Sequence, residues 1–229
     1  MKFGVITFPG SNCDQDMIYV LETIYGLQVE RLWHKDADLK GVDMVVLPGG
    51  FSYGDYLRSG SIAQFSPIMK EVIPFAQKGG YVLGVCNGFQ ILCETGLLEG
   101  ALLHNVQQKF ICKNIYLKRN SQSAAITKGL NDNQIYKIPI AHGEGRFYAP
   151  EDTLKKIQDE DGILFQYTDI EGKMTDVSNP NGSLNSIAGI TNKSKNVFGM
   201  MPHPERAADE ELFNTDGKSI FDSLLAHLN

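Results

Sequence analysis

The sequence predicts an α/β fold: a doubly wound, mostly parallel open sheet with helices on both faces and a small antiparallel patch. Three observations carry this expectation. Short apolar runs alternate with runs of helical spacing through the first part of the chain. Residues 42–47 are nearly all apolar, as a parallel strand covered on both faces must be. Three glycine-bearing turns, Pro9-Gly10, Pro48-Gly49-Gly50 and the stretch 84–88, follow strand-like runs. In open parallel sheets, active sites collect at such C-terminal strand ends.

Taken in order, residues 2–8 form a β-rich run that ends in Pro9-Gly10-Ser11-Asn12. Residues 14–25 have helical spacing, with Met17, Val20, Leu21 and Ile24 on one face and Gly26 as the stop. A second strand is expected over 28–34 and a buried one over 42–47. A helix over 67–78 carries Ile68, Val72, Ile73, Phe75 and Ala76 and ends at Gly79-Gly80, which leads into an apolar strand and a further helix. After Gly96 the pattern changes: 109–118 and 134–141 read as strands with no long helix between them, hence the antiparallel patch. A short helix over 152–159, a strand over 162–168, a polar loop over 176–184, a hairpin of 187–191 with 196–201, and an amphipathic helix over 218–228 complete the chain.

At 229 residues the chain has room for one large α/β domain, spanning 1–229, with a substantial core. Hydrophobic residues make up 42% and charged residues 21%, so no disordered block is expected. A net charge of -6 and a pI near 5.4 argue against a nucleic-acid or anionic-membrane partner, which would need clustered Lys and Arg. Cys13, Cys86, Cys93 and Cys112 form no C-x-x-C pair, so neither a metal site nor a disulfide framework is indicated and reduced thiols are expected. With no leader and no apolar run of membrane-spanning length, a cytoplasmic location is expected.

The chemistry centres on Gly84-Val-Cys86-Asn-Gly88-Phe-Gln90, which reads as strand, sharp turn, helix. Glycines two residues before and two after Cys86 permit a turn too tight for a Cβ at those positions and expose the sulfur. A helix N-terminus favours thiolate over thiol. The alternative is a buried cysteine beside an ordinary βα turn. A cysteine nucleophile needs a base and a group to orient that base. Met201-Pro-His203-Pro-Glu205-Arg206 offers both: Pro204 biases His203 toward extended geometry, in which Glu205 faces the same way. Backbone N–H groups of Asn87 and Gly50 are candidate donors to a developing oxyanion.

These motifs together resemble the class I, triad-type glutamine amidotransferases. Pro9-Gly-Ser-Asn-Cys-Asp14, Pro48-Gly-Gly-Phe-Ser-Tyr-Gly-Asp-Tyr-Leu-Arg58 and Ile140-Ala-His-Gly-Glu-Gly-Arg-Phe147 are similar, more narrowly, to the glutaminase subunits of phosphoribosylformylglycinamidine synthase in purine biosynthesis. The resemblance covers nearly the whole chain. It implies Cys86 as nucleophile, His203 as base and later acid, Glu205 as the orienting residue, and Gly50 and Asn87 as oxyanion donors. Gln90, the backbone around Phe51 and the Ala141-His142 segment would help hold glutamine, although His142 is also readable as structural. The run over 52–58 carries more polar groups than a turn needs and reads either as a contact with a partner subunit or as a solvated loop. No cofactor or metal is implied in this chain. ATP and Mg are expected on a large synthetase partner, with a small bridging subunit completing the complex. The alternatives are an amidotransferase serving another synthetase, a catalytically silent regulatory subunit on the same fold, or a cysteine hydrolase or protease of similar sheet topology.

Other signals lead nowhere. Gly217-Lys218-Ser219 lacks the earlier glycine of a phosphate loop and reads as a helix start, and Gly143-Glu-Gly145 lacks the third glycine of a dinucleotide fingerprint. Asn181-Gly-Ser183 and Asn192-Lys-Ser194 read as loop residues, and His34, His104 and His227 as surface or packing residues.

Overall fold

The computed structural model describes residues 1–228; Asn229, the end of the expected 1–229 unit, lies outside them. The parallel half of the fold forms where the apolar runs predict it. Strand β1 (Lys2–Thr7) leads through the Pro9-Gly10 turn to helix α1 (Asp14–Tyr19), which continues as a wider π-helical turn over Val20–Ile24. Strands β2 (Gln28–Trp33) and β3 (Met44–Leu47) follow, and every residue of β3 is buried, as its unbroken apolarity requires. Helix α2 (Met69–Gln77) crosses to β4 (Tyr81–Val85), which turns sharply into α3 (Asn87–Glu94).

The second half holds β5 (Ala101–Leu103), β6 (Ile111–Arg119), α4 (Ala125–Lys128), β7 (Tyr136–His142) and β8 (Arg146–Tyr148). Helix α5 (Glu151–Asp159), strands β9 (Ile163–Thr168), β10 (Ile187–Thr191) and β11 (Val197–Met200), and helix α6 (Asp216–His227) complete it. The start of α6 at Asp216 agrees with the reading of Gly217-Lys218-Ser219 as a helix opening. Strands β5 and β8 and helix α4 have no sequence expectation, because elements of three or four residues carry too few side chains to display a period.

Nine strands form one sheet in the order β2-β1-β3-β4-β11-β10-β9-β6-β7, and β5 pairs with β8 apart from it. The pairs from β2 to β11 are parallel; those from β11 to β7 are antiparallel, so the antiparallel patch continues the main sheet. Laid flat, β7 would stand about 24 Å from β4, five strand spacings away. Yet the N–H of His203, just past β11, donates to Pro139 O in β7 at 2.9 Å, and the Cys86 thiol donates toward Ala141 O at 3.6 Å. The antiparallel half therefore curls until its edge strand roofs the C-terminal ends of β4 and β11. Among the described residues, no helix is long and apolar enough to cross a membrane.

Candidate active site

Cys86 is the hinge residue between β4 and α3. Its backbone stands at φ 52°, ψ -107°, a conformation that costs a non-glycine residue of order 1–3 kcal/mol and persists only where surroundings over-determine it. The surroundings do so: its N–H donates to Met200 O on β11 at 2.7 Å, and its own carbonyl accepts the Gln90 N–H at 3.1 Å. Gly88 gives the turn its closeness to β3, since a Cβ there would lie 1.9 Å from Leu47 O. One expectation is corrected. Cys86 is 4% exposed, not open to solvent, because the curled β7 edge and the loop after β3 enclose it.

His203 enters from the next strand. Met200 of β11 pairs with Val85 of β4, so the chain leaves both strands at the same level and brings His203 beside Cys86. The His203 Nδ1 lies 2.6 Å from Glu205 Oε1, and both side chains are buried. The two-residue spacing thus delivers the pair expected of it, although Glu205 stands on a 3-10 turn (Pro204–Ala207) and not on an extended segment. Burial alone would push His203 toward its neutral form; the charges of Glu205 and Cys86, with a further contribution from Cys13, outweigh it and hold the imidazole pKa well above its ordinary value. Among the described residues its Nε2 has no partner in hydrogen-bond geometry, while the Cys13 and Cys86 sulfurs stand near enough to favour the imidazolium.

The wall beneath these groups is Gly49. A Cβ there would stand 2.6 Å from His203 Cε1, 3.1 Å from Cys13 Sγ and 3.4 Å from Cys86 Cβ, so three functional groups converge on its bare backbone. Gly50 adopts φ +141° and is pressed against Ser11 and Asn12, a position closed to side chains. Phe51 spends its N–H on Gly10 O at 2.9 Å, so only its side chain is offered to the site.

Above Cys86 lies a cavity of about 200 Å³, lined by Gly50, Phe51, Gln90, Ala141 and His142 among others, a size suited to a small metabolite. Gln90 is held at both ends: its Oε1 accepts from Asn87 Nδ2 at 2.8 Å and its Nε2 donates to Glu144 O at 2.5 Å. One N–H and one oxygen lone pair remain for a ligand. His142 is buried with Nδ1 3.1 Å from Asn105 Oδ1, and burial followed by the charge of His203 pushes its pKa down to about 4. It faces the cavity as a neutral ring.

The sequence profile of the CobB/CobQ-like glutamine amidotransferase domain matches residues 1–220. The PurQ subunit of phosphoribosylformylglycinamidine synthase from Chlorobaculum parvum is 53% identical over 228 residues, covering 100% of this chain and 90% of the relative. The chain belongs to the PurQ family of glutamine amidotransferases. The PurQ subunit from Synechocystis sp. is 55% identical over 220 residues, 96% of this chain and 98% of the relative. A chain of the PurLQS structure from Thermotoga maritima superposes with a TM-score of 0.86 at 40% identity, covering 100% of this chain and 99% of that one.

In this amidotransferase the fold also brings up residues that the sequence reading passed over. Glu144 and Asp55 put two carboxylates on the cavity wall, and among the described lining residues there is no Lys or Arg. Burial raises the Asp55 pKa, a Ser59 hydrogen bond lowers it and the charge of Glu144 raises it further. His104, expected to be a packing or surface residue, stands at the rim with Nδ1 3.4 Å from Glu144 Oε1. Cys13 is buried beside His203, its sulfur accepting from Arg206 Nη2 at 3.2 Å while Arg206 Nε donates to Asp16 at 2.9 Å. Cys13, Asp55 and Glu144 all lie inside the motifs that carry the family resemblance, but with nothing local to set them apart from ordinary loop residues none of them has a role in the sequence reading. By contrast His34, bonded to Tyr53 at 2.5 Å, and His227, bonded to Ser223 O at 2.8 Å, are the packing residues expected.

Proposed function

We propose that this amidotransferase hydrolyses L-glutamine through a Cys86 glutamyl thioester and delivers the ammonia to an ATP-using synthetase subunit that converts formylglycinamide ribotide to formylglycinamidine ribotide. The observation that carries the reading is the meeting of Cys86, His203 and Glu205 at the floor of a small cavity whose wall holds carboxylates and no Lys or Arg among its described residues. Glutamine bears an α-ammonium, for which Glu144 and Asp55 are the acceptors at hand.

Cys86 Sγ attacks the side-chain amide carbon, and the carbonyl oxygen takes up the charge, facing the backbone N–H groups of Gly50 and Asn87. His203, with Glu205 holding the other face of its ring, takes the thiol proton and gives it to the departing nitrogen, which leaves as ammonia. Water, deprotonated by His203, then opens the thioester; glutamate leaves and the thiol is restored. The sum is glutamine plus water giving glutamate plus ammonia. His203 is tuned for this exchange, because Glu205 and Cys86 favour the imidazolium against burial. Gln90, Phe51 and His142 shape the wall around the substrate. ATP and Mg act on the partner, which activates the amide oxygen of the ribotide, and a small bridging subunit joins the complex.

Reconstitution with the synthetase tests this. Cys86→Ala abolishes glutamine-driven synthesis and spares ammonium-driven synthesis. Undiminished glutamine-driven synthesis by Cys86→Ala would refute the nucleophile. A wild-type chain that hydrolyses glutamine but never supports this synthetase would assign it to another acceptor.

A further inference from the structure

The loop between β3 and α2 has two sides with different tasks. Its inner side is built into the cavity. The Ser52 N–H donates to Asn87 Oδ1 at 3.2 Å, Asn87 Nδ2 donates to Asp55 Oδ1 at 3.5 Å, and the Ser59 N–H donates to Glu144 Oε2 at 3.4 Å. On its outer side Arg58 pairs with Glu94 at 2.6 Å, but the apolar side chains are left open among the described residues. Tyr56 is 74% exposed, Leu57 91% and Phe65, a little further on, 73%. Large apolar side chains so placed in one short stretch mark a surface that another molecule covers.

The backbone of this loop sharpens the point. Tyr53, Asp55 and Leu57 are non-glycine residues at φ 55°, 55° and 71°. Left-handed conformations at such residues are held only where contacts enforce them. Tyr53 is enforced by its hydroxyl on His34 and Asp55 by Asn87, whereas Leu57, 91% exposed, projects away from the described residues. The loop holds Leu57 outward in a strained backbone, as a binding knob would be held.

We propose that the outer side of this loop, with Tyr56 and Leu57 at its tip, is the surface on which the ATP-using synthetase subunit docks. The inference rests on the glutaminase reading above. The occupant follows from place and chemistry: the loop also forms the wall of the cavity in which ammonia is released, and the subunit that consumes ammonia is the one that must sit against that wall. Docking there reaches the reacting atoms through two residues, Ser52 and Asn87, whose backbone N–H is an oxyanion donor in the proposed mechanism. The loop thus connects the presence of the consumer to the site that makes the ammonia.

The test uses the whole complex. Leu57→Asp and Tyr56→Asp are compared with wild type for binding to the synthetase by calorimetry, for glutamine- and ammonium-driven synthesis, and for thermal unfolding of the isolated chain. Both side chains are exposed, so melting should stay as in wild type. Each variant should weaken synthetase binding by about tenfold or more, with loss of glutamine-driven synthesis at limiting subunit concentration and intact ammonium-driven synthesis. Unchanged binding would overturn the proposal. So would a loss confined to the small bridging subunit, or the break-up of a dimer of this chain measured by light scattering. Failure of the wild-type chain to support glutamine-driven synthesis at all would sink the functional reading instead, so the two failures are distinguishable.

Discussion

Adding one methyl group at Gly49 tests the packing of Cys86 against His203 directly. In Gly49→Ala the new Cβ would sit 2.6 Å from His203 Cε1. Carbon atoms in contact prefer about 3.5–4.0 Å, so the imidazole must retreat by roughly 1 Å. It has little freedom to do so, since its Nδ1 is tied to Glu205 at 2.6 Å and the ring is buried. The new methyl cannot give way instead, since Cys13 Sγ lies 3.1 Å and Cys86 Cβ 3.4 Å from the same Cβ position. Gly49 is not among the residues at positive φ, so alanine brings no backbone strain and the effect is steric alone. A displacement of this size costs about 100-fold in rate, near 2.7 kcal/mol of barrier. Overpacking a dense region costs about 1–3 kcal/mol of stability, or about 2–4 °C per kcal/mol in Tm for a chain of this size. The expected result is a glutamine kcat reduced about 100-fold, ammonium-driven synthesis unchanged in the reconstituted enzyme, and a Tm lowered by several degrees. A variant with kcat within about threefold of wild type would refute the claim that Gly49 sets the Cys86–His203 approach.

Two further outcomes follow from the cavity. Glu144→Gln keeps the shape of the wall and removes a charge from it, so KM for glutamine should rise about 10- to 100-fold, the value of a charge-assisted hydrogen bond, with a much smaller change in kcat; an unchanged KM in steady-state kinetics would remove Glu144 from the ammonium subsite. His142 binds a proton near pH 6.5 when unfolded and only near pH 4 when folded, so between those values the unfolded chain holds more protons and stability falls as pH falls. The span corresponds to about 3 kcal/mol at most, measured as the difference in urea midpoints between pH 7 and pH 4.5. His142→Gln should flatten that slope, and an equal slope in the variant would contradict the depressed pKa.

How much of this was legible in the residues depends on the range of the interaction that fixes each feature. Strand β3 and the turn at Cys86 were readable because an unbroken apolar run and two flanking glycines are local signals. His203 and Glu205 were readable as a pair because two residues of spacing suffice to place one against the other. The burial of Cys86 was not, because it depends on β7, which is distant in sequence and comes near only through the curl of the antiparallel half. The carboxylates of Asp55 and Glu144 were lost for the same reason: each sits in a loop and gains meaning only when the other faces it across the cavity. The short β5 and β8 carry no periodic signal at all, and the helical spacing of Val20, Leu21 and Ile24 does not distinguish the wider π-helical turn that ends α1 from an α-helical one.

The site therefore depends on a strand register as much as on its own residues. Cys86 follows β4 by one residue and His203 follows β11 by three; the two meet only because Val197 pairs with Val82 and Met200 with Val85. A slip of one residue would turn β11 over and send the following segment to the wrong face. What prevents the slip stands at the opposite end of the strand. The Asn196 amide donates to Ala76 O at 2.8 Å and to Gly80 O at 2.7 Å, clamping the start of β11 to the end of α2 and the start of β4. Asn192 completes the clamp by accepting the backbone N–H groups of Asn196 and Val197, each at 3.1 Å. Asn192, which reads as a loop residue, and Asn196, which reads as the start of a strand, thus fix the level at which Cys86 and His203 emerge, a strand's length away from them.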